Sequence, residues 1–356
     1  MLHLRFSQRV LRFNFPARTS RGALAEHVAY YLHLSDTAAP EQTGVGEAAP
    51  LAGLSPDYGE GFALAVARLC ERFNAAAWAG FGANQAPAFV GPGLPSLVFA
   101  LETAALDLAR GGTRELYGNA FSRGQAALPI NGLVWMGDAG FMREQIREKL
   151  AAGYSCLKLK IGSLHFATEL ALLAEIRAVA GPDRLLLRVD ANGAFAPAEA
   201  LDKLRQLADL GVHSIEQPIR AGQPLALAAL CRQSPVPVAL DEELIGLTDP
   251  ALQTALLDVV RPDYLVLKPT LLGGHAATRH WIALARSRGL GWWMTSALES
   301  NVGLNAVAQL TGEYDVAGFA QGLGTGQLYH NNVAAPLRIE GGQLHYEPAG
   351  VWEPLA

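Results

Sequence analysis

"SCLKLKIG", residues 155–162, carries two lysines one residue apart in an otherwise apolar run. The alternation reads as a β-strand, in which residues two apart point to the same side. Cys156, Lys158 and Lys160 therefore share one face, and Leu157, Leu159 and Ile161 share the other. If only the leucine face is buried, the lysines are solvated on an edge strand. If both faces are buried, two ammonium groups lie side by side inside a protein, which demands a chemical reason.

The surrounding chain decides between the two. From about residue 128 it repeats a short apolar strand, a turn and an amphipathic helix. Strand-like runs are "PINGLVWM" (129–136), "YSCLKLKI" (154–161), "RLLLRVDA" (184–191), "HSIEQP" (213–218), "VPVALDE" (236–242), "PDYLVLKP" (262–269), "LGWWMTSA" (290–297) and, more weakly, "AGFAQGLG" (317–324). Helical stretches such as "GFMREQIREKLAAG" (140–153) lie between them, several ending on Gly, a common helix stop. Strands alternating with helices imply a parallel sheet. Eight such strands with short connections predict an α/β fold of the closed (β/α) barrel type. No GxGxxG follows the first strand, so an open dinucleotide-binding sheet lacks its signature. Barrel strands are covered by helices outside and packed against one another inside. Lys158 and Lys160 are thus expected in the barrel interior.

The remaining strands give the buried lysines company. Asp190, Glu216, Asp241 and Lys268 each stand just before the turn that follows a strand. Counted from Lys160, successive intervals are 30, 26, 25 and 27 residues. One charge per βα unit, always at the C-terminal strand end, converges on the barrel mouth, where such barrels keep their active sites. Three carboxylates on consecutive strands form a set of hard oxygen ligands suited to Mg²⁺, with Mn²⁺ as the second choice. His213 is read as a packing histidine, and His275 and His280 fall in a helix. Lys160 and Lys268 would flank the metal from opposite sides. Lys158 and a nearby cation both disfavour the ammonium form of Lys160, tuning it as a general base.

With these residues in place the sequence resembles the enolase superfamily, in its muconate-lactonizing-enzyme-like subgroup. Members pair a KxK motif on strand two with metal carboxylates on strands three to five and a lysine on strand six. Lys158/Lys160, Asp190, Glu216, Asp241 and Lys268 match all of these positions. The resemblance implies a (β/α)7β-type TIM barrel over residues 121–324 and a smaller α+β capping domain over residues 1–120. It further implies that residues 325–356, with "PLRIEGGQLHYE" (336–347), return to that capping domain. "GEAAPLAGLSPD" (46–57) and "SLVFALETAALDLA" (96–109) look like capping-domain segments.

Within the subgroup, "TSRG" (19–22), "PINGLVWMG" (129–137) and "TSALESNVGLNA" (295–306) resemble the o-succinylbenzoate synthase family. That implies Mg²⁺-dependent dehydration of a 2-succinyl-6-hydroxycyclohexadiene carboxylate, a lyase step of menaquinone biosynthesis. Lys160 would remove the proton α to the carboxylate, and Lys268 would stabilise the enediolate from the other face. Ser296, after strand seven, and Arg21, in the mobile capping loop, would contact substrate. N-acylamino-acid racemases of the same superfamily use the same two lysines as bases on opposite faces, and that alternative stays open. Dipeptide epimerases carry an acidic DxD at strand eight, where this chain has "QGLGT" (321–325). A barrel that only binds a carboxylate would be expected to lack one ligand or lysine.

Composition narrows the partners. Half of the 356 residues are hydrophobic, 17% are charged and the formal net charge is −5. No Lys/Arg cluster offers an electrostatic footprint for nucleic acid or a membrane surface. Cys70, Cys156 and Cys231 are odd in number and include no CxxC, so a reducing compartment fits best. "MLHLRFSQRVLRFNF" (1–15) alternates like a strand and lacks the apolar core of a signal peptide. A cytoplasmic enzyme acting on a small carboxylate is the expectation.

Overall fold

The computed structural model describes residues 1–19 and 22–355. Its first sheet is antiparallel and joins β1 (Leu2–Thr19), β2 (Gly22–Asp36) and β3 (Ala39–Ala48) in chain order. The β1–β2 register shifts between Arg12 and Ala17. Pro16, which has no N–H to donate to a ladder, falls inside that interval. Leu32 and Leu34 of β2 join Phe62, Val66, Leu69 and Phe73 of the helix Phe62–Ala75 in one apolar cluster. The helix Pro95–Leu108 lies directly on the backbone of β3. A Cβ on Gly46 would come 1.8 Å from Ala100 O, so that position admits only glycine.

The catalytic half begins with β4 (Leu128–Pro129) and continues into a seven-stranded parallel sheet. Its strands are β5 (Gly132–Val134), β6 (Cys156–Lys160), β7 (Leu186–Asp190), β8 (Ser214–Glu216), β9 (Val238–Leu240), β10 (Tyr264–Leu267) and β11 (Gly291–Met294). Each pairs with its neighbours in sequence, as the βα repeat predicts. The expected eighth strand contracts to two bridging residues. Gln321 pairs with Ile130 beside β5, and Gly322 pairs with Thr295 beside β11, which closes the ring. The segment around them contributes Gly318, Gly322 and Gly324, poor formers of an extended ladder.

Leu157, Leu159 and Ile161 face the helix layer within one continuous core that includes Leu187, Val189, Ile215, Leu240, Leu265 and Leu267. The opposite face of β6 points inward, so both faces are dry and the solvated-edge reading of the lysines falls away. At the barrel floor the Arg188 guanidinium stacks over Trp293 at 4.2 Å and Phe319 at 4.5 Å from their ring centroids. It donates to Ala320 O at 2.6 Å. His213 packs against Tyr264 and Phe319 on the same floor, and burial holds its imidazole down at about 4. It is a packing histidine, below the reaction zone.

The C-terminal hairpin, β12 (Leu337–Glu340) and β13 (Gln343–Tyr346), pairs with β4 rather than with the N-terminal sheet. Its neighbours along the chain do reach that sheet. Tyr329 bridges Phe13, Asn331 accepts from Arg12 N at 2.7 Å, and Glu353 pairs with Arg9. Between the units, Leu11, Tyr31 and Leu51 pack with Trp135, Leu298 and Val302. Among the described residues no helix is long and apolar enough to cross a membrane, and the three cysteines are free.

Candidate active site

Parallel pairing sets the site. Lys160, Asp190 and Glu216 are register partners across β6, β7 and β8, so their side chains rise from one level of the barrel wall. Asp241 and Lys268 follow the last residues of β9 and β10, at the same C-terminal rim. All three carboxylates are at most 2% exposed. The six groups singled out in the sequence therefore converge.

Each carboxylate meets a lysine. Lys158 Nζ lies 3.0 Å from Asp190 Oδ2 and also donates to Glu216 Oε2. Lys160 Nζ donates to Asp190 Oδ2 at 2.7 Å and to Asn192 Oδ1 at 3.0 Å. Lys268 donates to Asp241 Oδ2. Burial alone would push Asp190 up, but Lys158 and Lys160 outweigh it and hold the carboxyl well below its ordinary range. Asp241 is lowered in the same way, Lys268 prevailing over burial. Glu216 goes the other way, up to about 8, because burial is reinforced by the charge of Asp190 and opposed chiefly by Lys158. Burial pulls Lys158 and Lys268 down, yet their carboxylate partners raise both. In this arrangement the lysines are counter-ions to the carboxylates, a role the strand pattern alone did not disclose.

The donor set fits a divalent cation. It is all oxygen, it is buried, and Glu216 Oε1 has no hydrogen-bond partner among the described residues. As the side chains stand, no three His, Cys, Asp or Glu among the described residues are gathered tightly enough to hold an ion. The ammonium groups between them account for that spacing.

Residues beyond the charged set shape the rim. Asn192 and Gln217 follow Asp190 and Glu216 with φ of 44° and 40°, left-handed conformations that are sparsely populated outside glycine. Hydrogen bonds hold them there. Asn192 N donates to Asp190 Oδ1 at 2.9 Å, and Gln217 Oε1 accepts from Asp241 N and Glu243 N. Glu299, fully buried, accepts from Ser296 Oγ at 2.6 Å, from Ala297 N at 2.8 Å and from Thr270 Oγ1. It thereby ties the one-turn helix Pro269–Leu272, which follows Lys268, to the loop after β11. Neither Glu299 nor the Asn192–Gln217 pair was singled out in the sequence; Asn192 and Gln217 lie close behind a strand-end charge, whereas Glu299, in the loop after β11, carried no such signal.

A cleft opens over this rim, lined by Lys158, Lys160, Lys268 and Ser296. Its apolar wall includes Leu51 and Leu54 from the N-terminal unit, with Leu133, Trp135 and Leu298 from the barrel. Gly322 and Gly324 line it where the ring closes. A Cβ on Gly322 would strike Thr295 Oγ1 at 2.2 Å, whereas one on Gly324 would meet nothing nearer than 3.5 Å. Ser296 thus lies at the cleft, as expected from its strand end. Arg21 lies outside the described residues.

Residues 141–350 match the family described as enolase C-terminal domain-like. Over 250 residues the chain is 56% identical to an o-succinylbenzoate synthase of Desulfotalea psychrophila, which covers 70% of this chain and 67% of that protein. The crystal structure of MenC from the same species superposes with a TM-score of 0.85 at 42% identity, covering 97% of this chain and 99% of that one. An N-succinylamino acid racemase of Thermus thermophilus is 35% identical over 158 residues, 44% of this chain and 40% of that protein.

Proposed function

The chain belongs to the enolase superfamily, and on that premise we propose that it is an o-succinylbenzoate synthase. The reaction is dehydration of 2-succinyl-6-hydroxy-2,4-cyclohexadiene-1-carboxylate to 2-succinylbenzoate, a step toward menaquinone. The observation that carries this reading is the 56% identity to a synthase, joined to a full set of three carboxylates and three lysines at one barrel rim.

Lys160 takes the proton from C1, α to the carboxylate. The electron pair left behind spreads into the carboxylate as an enediolate, which the Lys268 ammonium stabilises from the other side of the cleft. Collapse of the enediolate expels hydroxide from C6, and the proton that Lys160 acquired accompanies it as water. The new double bond makes the ring aromatic. Asp190, Glu216 and Asp241 would hold a divalent cation, Mg²⁺ by preference over Mn²⁺, which supplies positive charge for the enediolate oxygens. Holding it would require Lys158, Lys160 and Lys268 to release those carboxylates. Asn192, bonded to Lys160 and Asp190, keeps the base aimed while its partner changes. Ser296 and Arg21 are the proposed substrate contacts from the chain's polar loops.

We place the protein in the cytoplasm, where free cysteines persist and a small soluble carboxylate is at hand. We divide it into a capping unit of residues 1–120, joined by 325–356, and a catalytic barrel of residues 121–324. N-succinylamino acid racemisation is the second reading, favoured by Lys160 and Lys268 lining one cleft from different strands. Assay of the purified protein with Mg²⁺ against the hydroxycyclohexadiene carboxylate and against an N-succinyl amino acid separates the two. Turnover of neither, or full activity of Glu216→Ala in the presence of a chelator, overturns the proposal.

A further inference from the structure

The side-chain amide of Asn192 stands between two charged groups. Its Oδ1 accepts from Lys160 Nζ at 3.0 Å, and its Nδ2 donates to Glu242 Oε1 at 3.0 Å. Its backbone N–H is tied to Asp190 Oδ1 in the left-handed conformation described above. Glu242 is half-buried in the single helical turn Glu242–Leu244 that follows Asp241. Gln217 Oε1 holds this turn on both sides of Glu242, accepting from Asp241 N at 3.3 Å and from Glu243 N at 3.2 Å. One asparagine thus joins the ends of β6 and β7 to the turn after β9.

We propose that Glu242 is a positioning residue, which keeps the Lys160 lone pair open to substrate by fixing which end of the Asn192 amide faces the lysine. The proposal rests on the reading of Lys160 as the base given above. A base must be unprotonated, and a neutral lysine amine carries two N–H bonds and one lone pair. In the observed setting Lys160 Nζ donates to Asn192 Oδ1, a contact that leaves the lone pair for the substrate proton. The two ends of an asparagine amide are nearly equal in size, but one donates and the other accepts. Turned over, Asn192 would present Nδ2 to Lys160 and donate into that lone pair, which would occupy the base. Glu242 opposes the turned setting, because a carboxylate only accepts and would then face Oδ1, another acceptor. Lys160 does not set the amide by itself once it is neutral, since an amine both donates and accepts. The charge of Glu242 also favours the ammonium form of Lys268. That influence does not pass through Asn192, so the two routes are separable.

The test is a double-mutant cycle on the Mg²⁺-loaded enzyme, read as kcat for the hydroxycyclohexadiene carboxylate and as Kd for the product, 2-succinylbenzoate. Glu242→Leu is expected to lower kcat about 10- to 100-fold while Kd stays within about twofold of wild type, since the base is disturbed and the binding groups are not. Glu242→Gln keeps an acceptor for Asn192 Nδ2 without the charge. It admits both settings of the amide, so kcat should stay within about threefold of wild type. In an Asn192→Ala background Glu242→Leu should cause no further loss, because the group it acts through is gone. Glu242→Ala takes the place of the leucine variant if that protein does not fold. Equal losses with and without the Asn192 amide would overturn the proposal, and so would a Glu242→Gln enzyme as slow as Glu242→Leu. Either result points to the charge acting on Lys268 and leaves the synthase reading standing on wild-type turnover. A wild type that does not turn over this substrate would bring down the synthase reading and the role of Glu242 together.

Discussion

Lys160 Nζ lies 2.7 Å from Asp190 Oδ2, so the proposed base and a proposed metal ligand on adjacent strands hydrogen-bond to each other. The carboxyl group that would help hold the cation is thus already engaged by the proposed base. Cation binding also needs Glu216 ionised, and burial together with the Asp190 charge raises that carboxyl to about 8. Below this value a proton must leave as the ion enters. Mg²⁺ affinity is expected to climb roughly tenfold per pH unit between pH 6.5 and 8, with proton release. Calorimetric titration in buffers of different ionisation enthalpy reads both quantities. An affinity independent of pH would mean that Glu216 is already ionised before the ion arrives.

The lysines of β6 should fail differently. Lys160→Ala is expected to lower exchange of the α-proton with solvent deuterium by more than about 10²-fold at every pH, since the base is gone. Lys158 sits between Asp190 and Glu216, so Lys158→Met leaves two buried carboxylates facing each other. Without cation that variant should lose about 3 kcal/mol of stability, and saturating Mg²⁺ should restore most of it. Thermal unfolding with chelator and with Mg²⁺ measures the difference. A Lys158→Met protein as stable as wild type in chelator would assign that lysine another role.

Glu299 holds the helical turn after Lys268 and the loop after β11 together by hydrogen bonds, none of them to the cleft's lysines. Glu299→Leu strips the acceptor from Ser296 Oγ, Ala297 N and Thr270 Oγ1 at once. A drop in kcat/KM of about 10- to 100-fold is expected, with Glu299→Gln retaining more activity because it keeps one acceptor. Steady-state kinetics of the pair decide it; equal losses would mean that the hydrogen bonds are not what matters.

The stability that Glu47 and Glu102 contribute should fall as pH rises from about 4.5 to 7, while buried His27, His33, His213 and His275, whose imidazoles burial holds down, act in the opposite sense below about 6.5. Burial, aided by the Glu299 charge against hydrogen bonds from Ser300 and Gly303, lifts Glu47 up to about 7. Burial likewise lifts Glu102 to about 7. An unfolded glutamate ionises near its ordinary value, so in this window the folded state binds more protons at these two sites and their part of the slope of unfolding free energy with pH is negative. Below the window the contribution is fully present, and above it the contribution is lost. The difference in melting temperature between wild type and Glu47→Gln, followed against pH, isolates the Glu47 part and is expected to shift in favour of the variant as pH rises through this window. An unchanged slope in that variant would exclude Glu47 as a source.

The phase of the βα repeat made the charged rim readable, because a strand-end residue every 25 to 30 positions has nowhere to go but the barrel mouth. The dry inner face of "KLK" followed from the same periodicity. What periodicity cannot carry is side-chain reach between strands, which is why Lys158 was read as acting on Lys160 and not as the partner of Asp190 and Glu216. Contacts of long separation were equally hidden. Glu47 caps the helix Asn301–Thr311 through Ser300 N, 253 residues away, and no local pattern announces it. The eighth strand was legible only as a weak run, and its glycines reduce it to a two-residue clasp.

That clasp also orders the history such a wall could have. Position 324 has room for a side chain, whereas position 322 is shut by Thr295 Oγ1 at 2.2 Å from where a Cβ would lie. A lineage converting this cleft to accept an ammonium-bearing ligand, by placing acids on the closing segment, could take Gly324→Asp as an opening move. Gly322→Asp would be barred until Thr295 had first given way to glycine, because the Thr295 Cβ too would lie 2.5 Å away. The two acids are therefore not interchangeable mutations but successive ones, and the shape of two bridging residues dictates the sequence in which they become viable.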